Sequence, residues 1–108
     1  MKAHDKIAIS TKSGRIVLKL RDIMYFERKG TSTIVYTRFN EKHLALKSME
    51  YFESLLGRYN FMRSQNVYLI NMEPFRAKYH EAGAASKNLI DNLMMLPKKM
   101  QSVYWSIL

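Results

Sequence analysis

From Lys6 to Leu46, apolar and polar residues alternate with a period of two, and that pattern suits half-buried β-strands far better than helices. Ile7 and Ile9 alternate with polar neighbours as far as Lys12-Ser13-Gly14, a tight-turn signal. Ile16, Leu18 and Leu20 then alternate with Val17, Lys19 and Arg21. Successive strand side chains point to opposite faces, so the two runs predict a hairpin with one buried face. Asp22-Ile23-Met24-Tyr25-Phe26-Glu27 reads as a third strand, and Arg28-Lys29-Gly30-Thr31-Ser32 as a polar loop. Thr33-Ile34-Val35-Tyr36-Thr37 is β-branched and aromatic, as strands prefer. Asn40-Glu41 turns the chain into His43-Leu44-Ala45-Leu46.

The period changes at Ser48, which can cap a helix; Glu50 and Glu53 fall in its early turns, where the macrodipole favours acids. Met49, Phe52, Leu55 and Leu56 form an apolar stripe, and Gly57 stops the helix. Phe61-Met62-Arg63 reads as a short strand, and Ser64 to Asn71 as a less regular stretch with apolar Val67, Tyr68, Leu69 and Ile70. After the break at Pro74, Phe75 to Tyr79 predicts a strand and His80 to Ser86 a loop. Leu89-Ile90 and Leu93 to Leu96 flank Asp91-Asn92 as a second hairpin. Pro97 suits the first turn of a last helix from about Lys98 to Ile107. With 108 residues the expectation is one domain over 1–108, residues 1–6 being a flexible start.

Several chemistries lack their residues. There is no cysteine, so disulfides and thiolate-held metals are excluded. His4, His43 and His80 are scattered without metal-ligand spacing, and no metal or cofactor is expected. The sequence has no GxSxG, Walker loop, HExxH or GxGxxG. Asp22 and Glu27, five apart on one strand, would face opposite ways and make a poor acid–base pair. No enzyme is expected. The N-terminus lacks the apolar run of a secretory signal, and no stretch reaches the ~20 apolar residues of a membrane span. A soluble, cytoplasmic protein is the expectation.

What remains is charge. Eighteen Lys and Arg against nine Asp and Glu give +9, which attracts polyanions: nucleic acid first, with an anionic membrane surface or the ribosome as alternatives. Three basic polar segments stand out, namely Arg28 to Thr33, Arg63 to Asn66 and Pro97 to Gln101. Their Lys and Arg suit phosphates, while hydroxyl and amide side chains can read base edges, Asn and Gln best at adenine. A helix-turn-helix is disfavoured, because some forty residues of strand-like sequence separate the two helices. Tyr25-Phe26 could imitate the aromatics of an RNA-recognition strand, but the flanking residues do not match that pattern.

Four marks, in order, resemble the LytTR DNA-binding domain (the LytR/AlgR type) from about Ile7 to Leu108. Ile16 to Glu27 is similar to that family's strand followed by D-I-x-Y-I/F-E. Ser48 to Leu56 is similar to S-L-x-x-L-E-x-x-L, and Phe61-Met62-Arg63-Ser64-Gln65-Asn66-Val67-Tyr68-Leu69-Ile70-Asn71 to F-x-R-x-H-x-S-Y/F-L-V-N. Leu96-Pro97-Lys98-Lys99 stands where the family has V-S-R-R/K.

The resemblance implies a mainly β fold: an elongated arrangement of small antiparallel sheets with a short mid-chain helix and a C-terminal helix. It implies the output domain of a bacterial response regulator in a two-component system, whose loops read successive major grooves of promoter DNA. Carried over, the contact positions are Thr33 with Arg28, Lys29, Thr31 and Ser32 beside it, Asn66 with Arg63 and Gln65, and Lys98 with Lys99. Double-stranded DNA, often as direct repeats bound by a homodimer, is the implied partner. Gln65 replaces the usual His, Val67 the usual Ser, and Pro97-Lys98 the usual Ser-Arg. Lysine lacks arginine's bidentate fork, so Lys98 is expected to meet phosphate instead of a base. Asn71 is read as structural, bonding backbone. These departures leave one alternative, a protein- or membrane-interaction module that keeps the fold without specific DNA readout.

Overall fold

The computed structural model describes residues 5–73, Lys98 and residues 100–102. The strand expected at 75–79, the loop at 80–86, the hairpin at 89–96, Pro97, Lys99 and most of the last helix lie outside the described residues. The chain divides into two compact units, Met1–Met72 and Glu73–Leu108.

In the first unit the alternating run folds as its period requires. Strands β1 (Lys6–Thr11) and β2 (Gly14–Lys19) pair antiparallel as a two-stranded sheet. Ile7 and Ile9 are buried, and Ile16 and Leu18 pack on the same core. Lys6 already pairs with Lys19, so ordered structure begins inside the expected flexible start. Lys12 and Ser13 make the turn, where the Thr11 hydroxyl donates to the Gly14 carbonyl at 2.7 Å. Leu20 leaves the strand in a short 3-10 helix, Leu20–Asp22, and is buried there.

A second, five-stranded antiparallel sheet follows, in the order β5-β4-β3-β7-β6. Its members are β3 (Ile23–Lys29), β4 (Ser32–Thr37), β5 (Lys42–Ala45), β6 (Phe61–Ser64) and β7 (Tyr68–Asn71). The loop expected at 28–32 is shorter than read. Arg28 and Lys29 extend β3 and pair with Thr33 and Ser32, leaving Gly30-Thr31 as the connection. Gly30 makes this possible, because its φ of +60° costs a side-chain-free residue nothing.

Helix α1 (Met49–Leu56) begins where Ser48 accepts a hydrogen bond from the Tyr51 amide at 3.2 Å. It buries Met49, Phe52 and Leu56; Leu55, expected in the stripe, is instead exposed. Gly57 ends the helix with φ −61° and ψ −24°, so the stop does not use a left-handed residue.

Tyr25 and Phe26, neighbours in β3, point to its opposite faces and are both buried; a register shift precedes them, between Ile23 and Tyr25. Phe26 stacks on Phe52 of α1, with ring centroids 4.8 Å apart, and Tyr25 stacks on Tyr36 at 4.4 Å. Burial, reinforced by Tyr36, Glu27 and Tyr68, pushes the Tyr25 phenol well above its ordinary range. The stretch 64–71 is more regular than expected. β7 is paired on both sides, and its four residues are buried. A strand covered on both faces shows a continuous apolar run in place of alternation. Asn71 at its end donates through Nδ2 to the Leu20 and Ile23 carbonyls, at 3.3 and 2.8 Å. Its role is structural as read, although the backbone it bonds is 48 and 51 residues away in sequence.

In the second unit, Lys98 and residues 100–102 are helical, as expected for the start of the last helix, and Met100 is buried. Among the described residues, no helix is long and apolar enough to cross a membrane. Nor does any group of three His, Cys, Asp or Glu converge among them. Among the described residues the architecture is mainly β, in two antiparallel sheets with few helices.

Candidate nucleic-acid interface

Pairing in an antiparallel sheet sends alternate connections to the same end. β3 lies between β4 and β7, so the β3–β4 connection and the β6–β7 turn emerge side by side. The Arg28 amide donates to the Val67 carbonyl at 2.8 Å, fixing that adjacency. Two of the three basic segments read from the sequence thus meet at one sheet end. Lys98 is exposed on a helix of the second unit, and Lys99 lies outside the described residues.

The β6–β7 turn runs through Gln65 and Asn66, both exposed, with φ of 53° and 58°. Two consecutive positive values match a type I′ turn, closed here by the Val67 amide donating to the Ser64 carbonyl at 3.3 Å. Asn tolerates this region, whereas Gln has no such preference. Holding a residue with a Cβ there costs roughly 1–2 kcal/mol, so something must brace the turn.

Two arginines supply the brace. Arg28 Nε donates to the Asn66 carbonyl at 3.2 Å, and Arg63 Nη2 donates to the same carbonyl at 3.3 Å. Arg63 Nη2 also donates to the Asn66 side-chain oxygen, Oδ1, at 2.6 Å. Each guanidinium is anchored in turn to α1. Arg28 donates to both carboxylate oxygens of Glu50, and Arg63 Nη1 donates to Glu53 at 3.1 Å. That hydrogen bond from Arg28, with one from its own backbone, holds the Glu50 carboxyl below the usual range. Glu50, Glu53, Arg63, Gln65 and Asn66 line an open recess beside the turn.

The neighbouring connection offers a different surface. Lys29, Gly30 and Thr31 are exposed and Ser32 is half-buried. Thr33, expected to be the base-reading position of this segment, is fully buried instead, and its hydroxyl donates to the Lys47 carbonyl at 2.8 Å. Strand alternation turns Thr33 inward, opposite Ala45 and Arg28, so it ties β4 to the start of α1. Glu50 and Glu53 were read only as helix-favouring acids. Their spacing of three does place them on one helix face, but nothing in the sequence shows that this face turns toward arginines 22 and 10 residues away.

The model of the LytTr DNA-binding domain family matches residues 13–81. Among solved structures, the chain is similar to the LytTr DNA-binding domain of a Bacillus cereus protein described as a methyl-accepting/DNA response regulator. The two are 24% identical with a TM-score of 0.54, over 65% of this chain and 63% of that one, which shows a shared fold. No curated protein matches the chain. The family match takes in both sheet-end turns, the helix that braces them and well over half of the sequence. The chain therefore belongs to the LytTR family of DNA-binding domains, which bind DNA for transcription regulators.

Proposed function

We propose that this domain reads specific double-stranded sequences in promoter DNA as the cytoplasmic output module of a two-component response regulator. The observation that carries the reading is the meeting of the β3–β4 connection and the braced β6–β7 turn at one end of the sheet. Two neighbouring protrusions, one tipped with Lys29 and Thr31 and one with Gln65 and Asn66, suit a major groove about 12 Å wide. Lys29 and Ser32 serve phosphates, and Asn66 with Gln65 serves base edges. Arg28 and Arg63 orient the turn. Thr33 supports its connection from below. Lys98, with Lys99, forms a third contact, to phosphate. Tandem half-sites bound by two copies fit a domain with so few base-reading side chains, since each can supply only about 1–3 kcal/mol.

Selection from a pool of random duplexes, followed by affinity measurements across a salt series, tests this reading. The expected outcome is a recurring sequence preferred over random DNA, with log affinity falling linearly in log salt at about −0.9 per neutralised phosphate. Equal affinity for every duplex would refute sequence reading. Binding to a protein or an anionic vesicle without selective DNA binding would favour an interaction module of the same fold.

A further inference from the structure

Among the described residues β5 is an edge strand, paired with β4 and with no ladder on its other side. The Thr37 amide donates to the Glu41 carbonyl at 2.9 Å. Antiparallel pairing alternates, so His43 and Ala45 also bond toward β4, while Lys42, Leu44 and Leu46 turn their main-chain groups outward. The Leu46 amide follows that rule and donates to the Ser10 carbonyl of β1 at 2.9 Å. Past that bond the hairpin and β5 part around an open recess of about 320 Å³. Lys12 and Ile16 line it from the hairpin, and Lys42, His43 and Leu44 from β5. None of the described residues lining it is acidic. Lys12 and Lys42 are exposed and make no ion pair among the described residues, and Leu44 is 41% exposed. Lys42 pairs with Tyr36, at the far end of β4 from the Gly30-Thr31 connection, so the recess is distinct from the candidate DNA interface.

We infer that this recess takes an acidic, extended segment of a protein partner, which adds to β5 as a further strand. An open edge offers main-chain donors and acceptors to any extended chain, and the side chains around it decide which chain is accepted. Here those side chains are lysines and apolar groups. A second copy of this chain, itself at +9, would set Lys12 and Lys42 against like charge. The lysines that guard the edge against self-association therefore admit a segment carrying Asp or Glu. Apolar residues between the acids rest on Ile16 and Leu44. A DNA backbone could use the lysines, but it has no use for the outward main-chain groups of β5 or for the apolar lining. The inference does not depend on base reading at the other end of the sheet.

The test titrates the isotope-labelled full chain with a short capped peptide of alternating glutamate and valine, following each amide by NMR. Saturable shifts are expected at Lys42, Leu44 and the Lys12-Ser13 turn, with Gln65 and Asn66 unmoved. Lys12→Glu combined with Lys42→Glu is expected to weaken binding about tenfold or more, because two attractions become repulsions. Leu44→Pro removes an outward amide, which an edge strand tolerates, and weakens binding in the same direction. Methylating the peptide's own amide nitrogens costs about tenfold through lost main-chain pairing. Both protein variants are compared with the wild type at equal amide dispersion; where one fails to fold, the methylated peptide decides the question. Absence of saturable shifts at β5 overturns the inference, as does equal binding of a lysine–valine peptide or of the methylated one. Displacement of the peptide by random duplex DNA or by anionic vesicles, with shifts at Lys12 and Lys42, also overturns it and makes the patch a polyanion contact. Broadening of the same amides with rising protein concentration, without peptide, would place a second copy there instead.

Discussion

Asn71 shows how much one side chain can hold together. It stands at the end of β7, fully buried, and joins that strand to two carbonyls at the junction between the hairpin and the main sheet. The Leu20 carbonyl keeps a second donor, the Ile23 amide, but the Asn71 bond to the Ile23 carbonyl is the shorter of the pair. Removing the amide leaves a buried acceptor short of a partner, which costs about 1–3 kcal/mol. Asn71→Ala is expected to lose that much in urea denaturation, and a loss under about 0.5 kcal/mol would show that water takes over the role. The sequence disclosed that this residue bonds backbone. It could not disclose which, because partners some fifty residues away are set by the sheet order. Thr33 makes the same point in reverse. Its neighbours Thr31 and Ser32 lie toward the surface as read, yet one further step along β4 reverses the side chain and buries it.

At the scale of elements, what could be read was periodic. The alternation located β1 to β5, with ends displaced by up to about two residues, and the Ser48 cap placed the start of α1. The turn at Gln65-Asn66 was not legible, since neither residue is glycine and the strain is carried by arginines on other elements. Leu55 was misplaced because a helix of eight residues packing on one sheet face needs only three inward side chains. The strain can be measured. Gln65→Gly removes a Cβ from the left-handed region at the cost of a looser unfolded chain, so stability is expected to rise by up to about 1 kcal/mol. Gln65→Val, β-branched at positive φ, is expected to lose at least as much. Thermal unfolding of the two variants checks both; a Gly variant less stable than the Val variant would mean that the turn is not strained.

Across the whole molecule the excess of positive charge governs attraction, but it is not uniformly available. At the candidate interface Arg28 and Arg63 are paired with carboxylates of α1, while Lys29 makes no ion pair among the described residues. Total charge read from composition therefore overstates what this end of the sheet presents to phosphate. Lys29→Ala is expected to weaken specific and random DNA alike and to reduce the salt slope by about one phosphate's worth. An unchanged slope would place Lys29 away from the backbone of the duplex.

The two arginines that brace the β6–β7 turn share one acceptor, the main-chain carbonyl of Asn66, an atom that every amino acid carries. The loop tip is consequently gripped by a part of the chain that substitution at position 66 leaves in place. A library varied at 65 and 66, restricted to residues that accept a left-handed backbone, would change the letters of the tip and keep its mounting. On the proposed reading, in which residues 65 and 66 meet base edges, the domain is a socket with two exchangeable pins, and retargeting it is a matter of choosing pins rather than redesigning the scaffold.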